Sequence, residues 1–208
     1  DLPAMDDDDM RHNQPSSHVV FGEAQAILAG DSLQALAFEI LSRDELIEPA
    51  IRIELLKLLA ISAYEMADGQ SIDLSVVLKK VDIELLNNMY KKKTGSLISC
   101  AVTFGALLNN NIDPKDRNIL DSYSNNIGMA YQIQDDVLDV SSSEVVLGKR
   151  QNSDLGMGKP TYPAIIGLDE SIRAYKELYK KAIDEISGLT VNSKPLRKLT
   201  EKLMTRDF

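Results

Sequence analysis

A chain of 208 residues, 44% hydrophobic and 26% charged, is long enough to bury one sizeable core. A formal charge of −9 argues against a nucleic-acid backbone as partner, and a lone cysteine, Cys100, rules out an internal disulfide. No apolar run reaches transmembrane length, so a cytoplasmic protein in a reducing compartment is the expected class.

The chain opens Asp1-Leu2-Pro3-Ala4-Met5-Asp6-Asp7-Asp8-Asp9, inside its densest acidic cluster and with no initiator methionine. That start reads as a chain shortened at its N-terminus. Pro15-Ser16-Ser17-His18 reads as a loop. Residues 23 to about 41 are rich in Ala and Leu and predict a buried helix, interrupted at Gly30-Asp31. Pro49 precedes a helix over residues 51 to about 67, with Leu55, Leu58, Leu59 and Met66 on its apolar side and a break at Gly69 and Asp73. A long helix is predicted from Asp82 to about Leu108, and another from Pro114 to about Val140. Turn residues gather between Ser141 and Pro163, before helices over about 164–187 and beyond Pro195. There is no internal repeat and no low-complexity linker. The expectation is one all-α domain spanning residues 1–208.

Two of these helices carry charge where it is costly. At 100° per residue, Leu86, Tyr90, Lys93, Leu97, Cys100 and Phe104 share one stripe, which sets Lys93 within an apolar face. Such a lysine either snorkels to the rim or points a cation into a cavity that receives an anion. On the next helix Ile119, Tyr123, Ala130, Ile133 and Val137 form the apolar side, opposite Asp121, Gly128, Gln132, Asp135 and Asp139. Between residues 118 and 148 no Lys or Arg balances Asp135, Asp136 and Asp139. A solvated face is the bland account of that stripe, but like charges at i and i+4 repel unless a cation joins them.

The same shortage recurs at the start, where Arg11 alone accompanies five aspartates within nine residues. A calcium loop of EF-hand type fails there: counting from Asp6, Arg11 stands where Gly is needed and Ser17 where a bidentate Glu is needed. Two acidic clusters with isolated basic residues after each suggest oxygen sites for Mg²⁺ facing a diphosphate. Arg11, Lys93, Lys149 and Lys159 would then neutralise the remaining phosphate charge.

At this point the motifs resemble a known family. Gln132-Ile133-Gln134-Asp135-Asp136-Val137-Leu138-Asp139 is similar to the second aspartate-rich motif (DDxxD) of the trans-isoprenyl diphosphate synthases, or polyprenyl synthetases. Asp1-Leu2-Pro3-Ala4-Met5-Asp6 is similar to their bacterial first motif, DDxxxxD, without its leading aspartate. Phe21-Gly22-Glu23 with Ala29-Gly30-Asp31, Gly69-Gln70 with Asp73-Leu74, and Lys93-Thr94-Gly95 come next in the family's order. Lys149, Asp154 and Lys159-Pro160-Thr161-Tyr162-Pro163 complete the series, which spans nearly the whole chain. The nearest likeness is to bacterial farnesyl diphosphate synthases.

The resemblance implies an isoprenoid-synthase bundle of helices around a deep apolar cavity, as a homodimer. It implies a prenyl transferase that condenses isopentenyl diphosphate with dimethylallyl or geranyl diphosphate to farnesyl diphosphate, using three Mg²⁺ ions. Asp1, Asp6, Asp135 and Asp139 would bind metal, with Asp136 in support. Arg11, His12, Lys93, Thr94, Gln132, Lys149 and Lys159 would bind substrate diphosphate, and Lys93, Asp135, Asp136 and Lys149 would act catalytically. Ionisation of the allylic C–O bond, attack by the isopentenyl double bond and proton loss to released diphosphate require no Ser/His/Asp triad.

Two departures stand out. The family's basic residues for isopentenyl diphosphate lie upstream of Asp1, and His12 replaces the second of two consecutive arginines. A neutral imidazole there weakens the contact, while a protonated one partly restores it. The alternative function is a non-catalytic homologue that regulates an active synthase, although such subunits typically lose aspartates that this chain retains. A terpene cyclase fits less well, because it usually carries an Asn/Ser/Glu metal triad in place of a second DDxxD.

Overall fold

The computed structural model describes residues 1–11, 13–109, 112–141 and 156–206. Its first element is a small antiparallel ladder of β1 (Met10–Arg11) and β2 (Gln14–Pro15), in the register Met10↔Pro15. Buried Ser16 fastens its base: the Ser16 hydroxyl donates to the Asp8 carbonyl at 2.5 Å, and its N–H donates to the Asp9 carbonyl at 2.8 Å. This turn carries the acidic opening back against the helices.

The remaining described elements are helical. After α1 (Ser17–Phe21), Gly22 at φ +86° makes a turn that a residue with a Cβ resists, and α2 runs over Glu23–Arg43. Helix α3 (Pro49–Ser75) starts with proline in its first turn, where a missing N–H costs nothing. The Glu48 side chain caps it by accepting from the Ala50 N–H at 2.9 Å. Asp82 caps α4 (Ile83–Tyr90), accepting from the Leu85 N–H at 2.8 Å. A π-helical turn, Lys91–Gly95, then leads into α5 (Ser96–Leu107). Helix α6 (Pro114–Ser141) is followed by α7 (Tyr162–Ile166), α8 (Leu168–Ile186) and α9 (Lys194–Met204).

Helix α6 is the axis of the molecule, in contact with α4, α5, α7, α8, α9 and the π turn. Its Tyr123, Ile127, Ala130, Ile133 and Val137 pack with Tyr175, Tyr179, Ala182 and Ile186 of α8 and with Leu86, Met89 and Tyr90 of α4. The α8 residues recur every three to four positions and so form one stripe toward α6. Each such large apolar side chain contributes about 1.5–3 kcal/mol on burial. At the far end of α6, buried Asp116 accepts from both the N–H and the hydroxyl of Thr190, which ties down the α8–α9 connection.

Four predicted features differ. Helix α2 passes through Gly30 without a break and buries none of its residues, so the expected buried helix lies on the surface. Helix α3 also continues through Gly69. The glycine is there for packing: a Cβ on Gly69 would overlap the Lys93 backbone nitrogen. The predicted long helix from Asp82 exists, but the π turn Lys91–Gly95 interrupts it with an extra residue between α4 and α5. Of the expected stripe, Leu86, Tyr90 and Cys100 are in the core, Leu97 is 37% exposed and Phe104 is half-buried. The predicted helix over 164–187 is split at Gly167, at φ +89°, into α7 and α8. Among the described residues no helix is long and apolar enough to cross a membrane.

Candidate active site

A polar cleft of about 280 Å³ opens where the acidic turn, α3, the π turn, α6 and the lead-in to α7 converge. The opening turn contributes Asp6, Asp8 and Arg11, and α3 contributes Met66, Gln70 and Asp73. The α4–π junction adds Met89, Tyr90, Lys93 and Thr94. Helix α6 adds Tyr131, Gln132, Asp135 and Asp136, and the α7 lead-in adds Lys159, Pro160 and Thr161.

Local geometry explains these positions. Gly69 lets α3 press against the π turn, which places Lys93 beside Asp73, one helical turn on from the glycine. Gly128 performs the same service from α6, since a Cβ there would lie 2.8 Å from the Gly95 Cα. The π turn is thus gripped between two helices at glycines, and Lys93 and Thr94 project from it into the cleft. The Lys93 ammonium points inward and is paired, which makes its place in an apolar stripe tolerable.

Charge in the cleft alternates. Lys93 Nζ lies 2.6 Å from Asp73 Oδ2, while Lys159 Nζ lies 2.6 Å from Asp6 Oδ1 and 3.6 Å from Asp73 Oδ2. Burial pushes the Asp6 carboxyl up, but the Lys159 hydrogen bond and the charges of Lys93 and Lys159 outweigh it, leaving its pKa below the ordinary value. The Thr94 hydroxyl donates to Gln132 Oε1 at 2.6 Å, and Gln132 Nε2 reaches Asp136 Oδ1 at 3.4 Å. Asp136, 2% exposed, also accepts from the Tyr90 hydroxyl and from the Tyr162 N–H at 2.8 Å. Asp135 faces outward to Arg206 at 3.2 Å.

The cleft therefore unites Asp6, Arg11, Lys93, Thr94, Gln132, Asp135, Asp136 and Lys159 of the residues expected from sequence. Asp1 lies at its edge, 3.9 Å from Arg11, and Asp139 is buried outside the lining. His12, Lys149 and Asp154 fall outside the described residues. Sequence reasoning assigns no role to Asp73 or Arg206. For Asp73 a signal exists in the Gly69-Gln70…Asp73 spacing, which reads as a helix break. For Arg206 there is none, because 71 residues separate it from Asp135.

The donor set suits a hard divalent cation. Asp6, Asp8 and Asp135 offer only oxygen, the first two from the opening turn and the third from α6. Among the described residues no three His, Cys, Asp or Glu side chains are grouped closely enough to hold an ion by themselves. That pattern fits Mg²⁺, which is commonly held by one or two carboxylates and completed by water and phosphate oxygens.

Known proteins are similar to this chain in sequence and in fold. The polyprenyl synthetase family profile matches residues 1–192. Farnesyl diphosphate synthase of Escherichia coli (strain K12) is 40% identical over the whole chain, which spans 72% of that enzyme. The solved geranyltransferase of Legionella pneumophila superposes with a TM-score of 0.86 at 30% identity, over 100% of this chain and 68% of that one. A Helicobacter pylori geranyltransferase, solved with magnesium and isoprenyl diphosphate, gives a TM-score of 0.82 at 28% identity, over 98% and 66%. Matched along nearly its full length in sequence and in fold, the chain belongs to the polyprenyl synthetase family of prenyl transferases.

Proposed function

We propose that this protein condenses isopentenyl diphosphate with dimethylallyl and then geranyl diphosphate, giving farnesyl diphosphate, with Mg²⁺ as cofactor. The observation that carries the reading is the convergence of Lys93, Lys159 and Arg11 with Asp6 and Asp135 on one cleft. Three cations suit an anionic group, and the oxygen donors suit the hard metal that accompanies it. Similarity to the magnesium-bound Helicobacter enzyme supports the cofactor, and similarity to the Escherichia coli enzyme supports the fifteen-carbon product.

In this reading Asp6 and Asp135 hold Mg²⁺, with Asp1 and Asp139 as further ligands and three ions in all. When bound, Mg²⁺ supplies positive charge that makes diphosphate a better leaving group. Lys93, Lys159 and Arg11 donate to diphosphate oxygens, so charge passing to the leaving group meets donors already in the cleft, and Lys149 keeps the diphosphate-binding role that the family resemblance implies. The Thr94–Gln132 pair orients that group, and Met66, Met89 and Tyr131 shield the cation from water, while His12 keeps the role in binding the second substrate that the family resemblance implies. The allylic C–O bond breaks with both electrons leaving on diphosphate. The isopentenyl double bond then forms the new C–C bond, and a proton passes to released diphosphate. The protein is proposed to act in the cytoplasm as a homodimer.

The test supplies the protein with Mg²⁺, labelled isopentenyl diphosphate and a panel of allylic diphosphates, and resolves products by length. Extension that stops at fifteen carbons and disappears with EDTA is expected. Lys93→Ala and Asp135→Ala should each lower turnover about 100-fold or more with unchanged helicity. A folded protein that extends no acceptor would instead be a non-catalytic partner.

A further inference from the structure

Lys159 is the most enclosed cation of the cleft, with its side chain 6% exposed against 25% for Lys93. Its backbone is anchored just upstream, where the Gly158 carbonyl accepts from the Leu78 N–H at 2.9 Å. From there the ammonium spans two elements, 2.6 Å from Asp6 Oδ1 on the opening turn and 3.6 Å from Asp73 Oδ2 on α3. Asp73 is itself 3% exposed and holds Lys93 at 2.6 Å. One carboxylate expected to bind metal is thus occupied by a cation of the chain, and a second carboxylate stands ready beside that cation.

We propose that Lys159 is a latch on Asp6, and that it must release this carboxylate before Asp6 can take a divalent cation. The proposal rests on the reading of Asp6 as a metal-binding residue. A divalent ion and an ammonium repel strongly within a few ångströms in a partly buried cleft, so they do not share one carboxylate freely. The released ammonium moves onto Asp73 and onto any diphosphate that enters. Metal alone therefore breaks a close ion pair and gains little. Metal together with diphosphate gives the ammonium a new partner. Lys159 thereby makes each ligand favour the other, and the coupling is reciprocal. Asp73 acts as a positioning residue that receives the lysine in its released state.

The experiment titrates Mn²⁺ into the protein and reads free ion by electron paramagnetic resonance, first without and then with inorganic diphosphate. Lys159→Met should tighten Mn²⁺ binding about fivefold or more without diphosphate, and should shrink the gain that diphosphate brings. Asp73→Asn should act in the opposite direction, because the lysine loses its place of retreat. Lys92→Met removes an equal charge that is paired with Asp68 outside the cleft lining, and should change the affinity by less than about twofold. Asp6→Asn separates the two claims. If it leaves Mn²⁺ affinity unchanged, Asp6 is no ligand and the underlying reading fails. If it weakens Mn²⁺ but Lys159→Met tightens it no more than Lys92→Met, the latch is overturned. Should Lys159→Met not fold, Lys159→Gln and Asp73→Asn carry the same comparison.

Discussion

Asp135 and Asp136 are neighbours in the chain and live in different surroundings. The Asp135 side chain is 41% exposed and meets Arg206, whereas Asp136 is sealed behind Tyr90, Gln132 and the Tyr162 N–H. Adjacent residues on a helix point about 100° apart, so a pair of aspartates cannot both face one ligand squarely. The pattern of acids is legible in the sequence, since a stripe without a balancing base declares itself. Their division of labour is not, because it depends on a tyrosine from α4 and a backbone N–H from α7. Asp136 acts by fixing α4 and α7 to α6 and by steadying Gln132. Tyr90→Phe removes a hydroxyl and keeps the ring that stacks on Tyr162. It should destabilise the fold by about 1.5–3 kcal/mol, the range for a hydrogen bond to a charged group. Urea denaturation measures this, and an unchanged midpoint would show that Asp136 does not depend on that hydroxyl.

Among the elements, glycine is the residue whose meaning depends most on its neighbours. Gly30 and Gly69 both look like breaks in the sequence, and both are inside unbroken helices. A glycine in a helical pattern states only that a side chain is missing, and the reason lies in the neighbouring element. A Cβ at Gly30 would meet nothing within 4 Å, so this glycine only loosens α2. A Cβ at Gly69 would run into the Lys93 backbone, so that glycine sets the separation of α3 from the π turn. The two substitutions should diverge. Gly30→Ala should stabilise by about 0.5–1 kcal/mol through helix propensity. Gly69→Ala should destabilise by about 1–3 kcal/mol as an overpacked contact, and should impair diphosphate binding because Lys93 moves with the turn. Equal and small effects at both positions would mean that the contact at Gly69 relaxes freely. The π turn is hidden in the sequence for a related reason. Its flanks read as one continuous helical pattern, and nothing in that pattern marks the extra residue.

For the whole molecule, sequence periodicity announces an all-α chain, and the central place of α6 agrees with the buried residues spread along it from Leu120 to Asp139. It does not announce what α2 packs against. Apolar content says which surfaces shun water, but not which partner covers them. Among the described residues helix α2 packs mainly on α1 and α3, and it leaves Ile27, Leu28, Leu33, Leu36 and Ile40 between 44% and 66% exposed. Phe21 of α1 and Ile53 of α3 extend the apolar surface at 69% and 64%. Leu33, Leu36 and Ile40 recur at helical spacing and so share one side of α2, and exposed apolar surface of this kind is common where subunits meet. A second copy of the chain is the proposed occupant, consistent with the homodimer expected from the family resemblance. Two copies related by a two-fold axis would place the same helix on both sides, so that one substitution acts twice. Analytical ultracentrifugation should give a species of twice 23.0 kDa for this chain. Leu33→Lys with Ile40→Lys should shift it to one copy, since a self-complementary apolar face then carries like charges on both partners. The cleft residues lie on other elements, so helicity and Mn²⁺ affinity should persist in that variant. A single-copy mass for the unmodified chain would remove the dimer and leave α2 to a different partner.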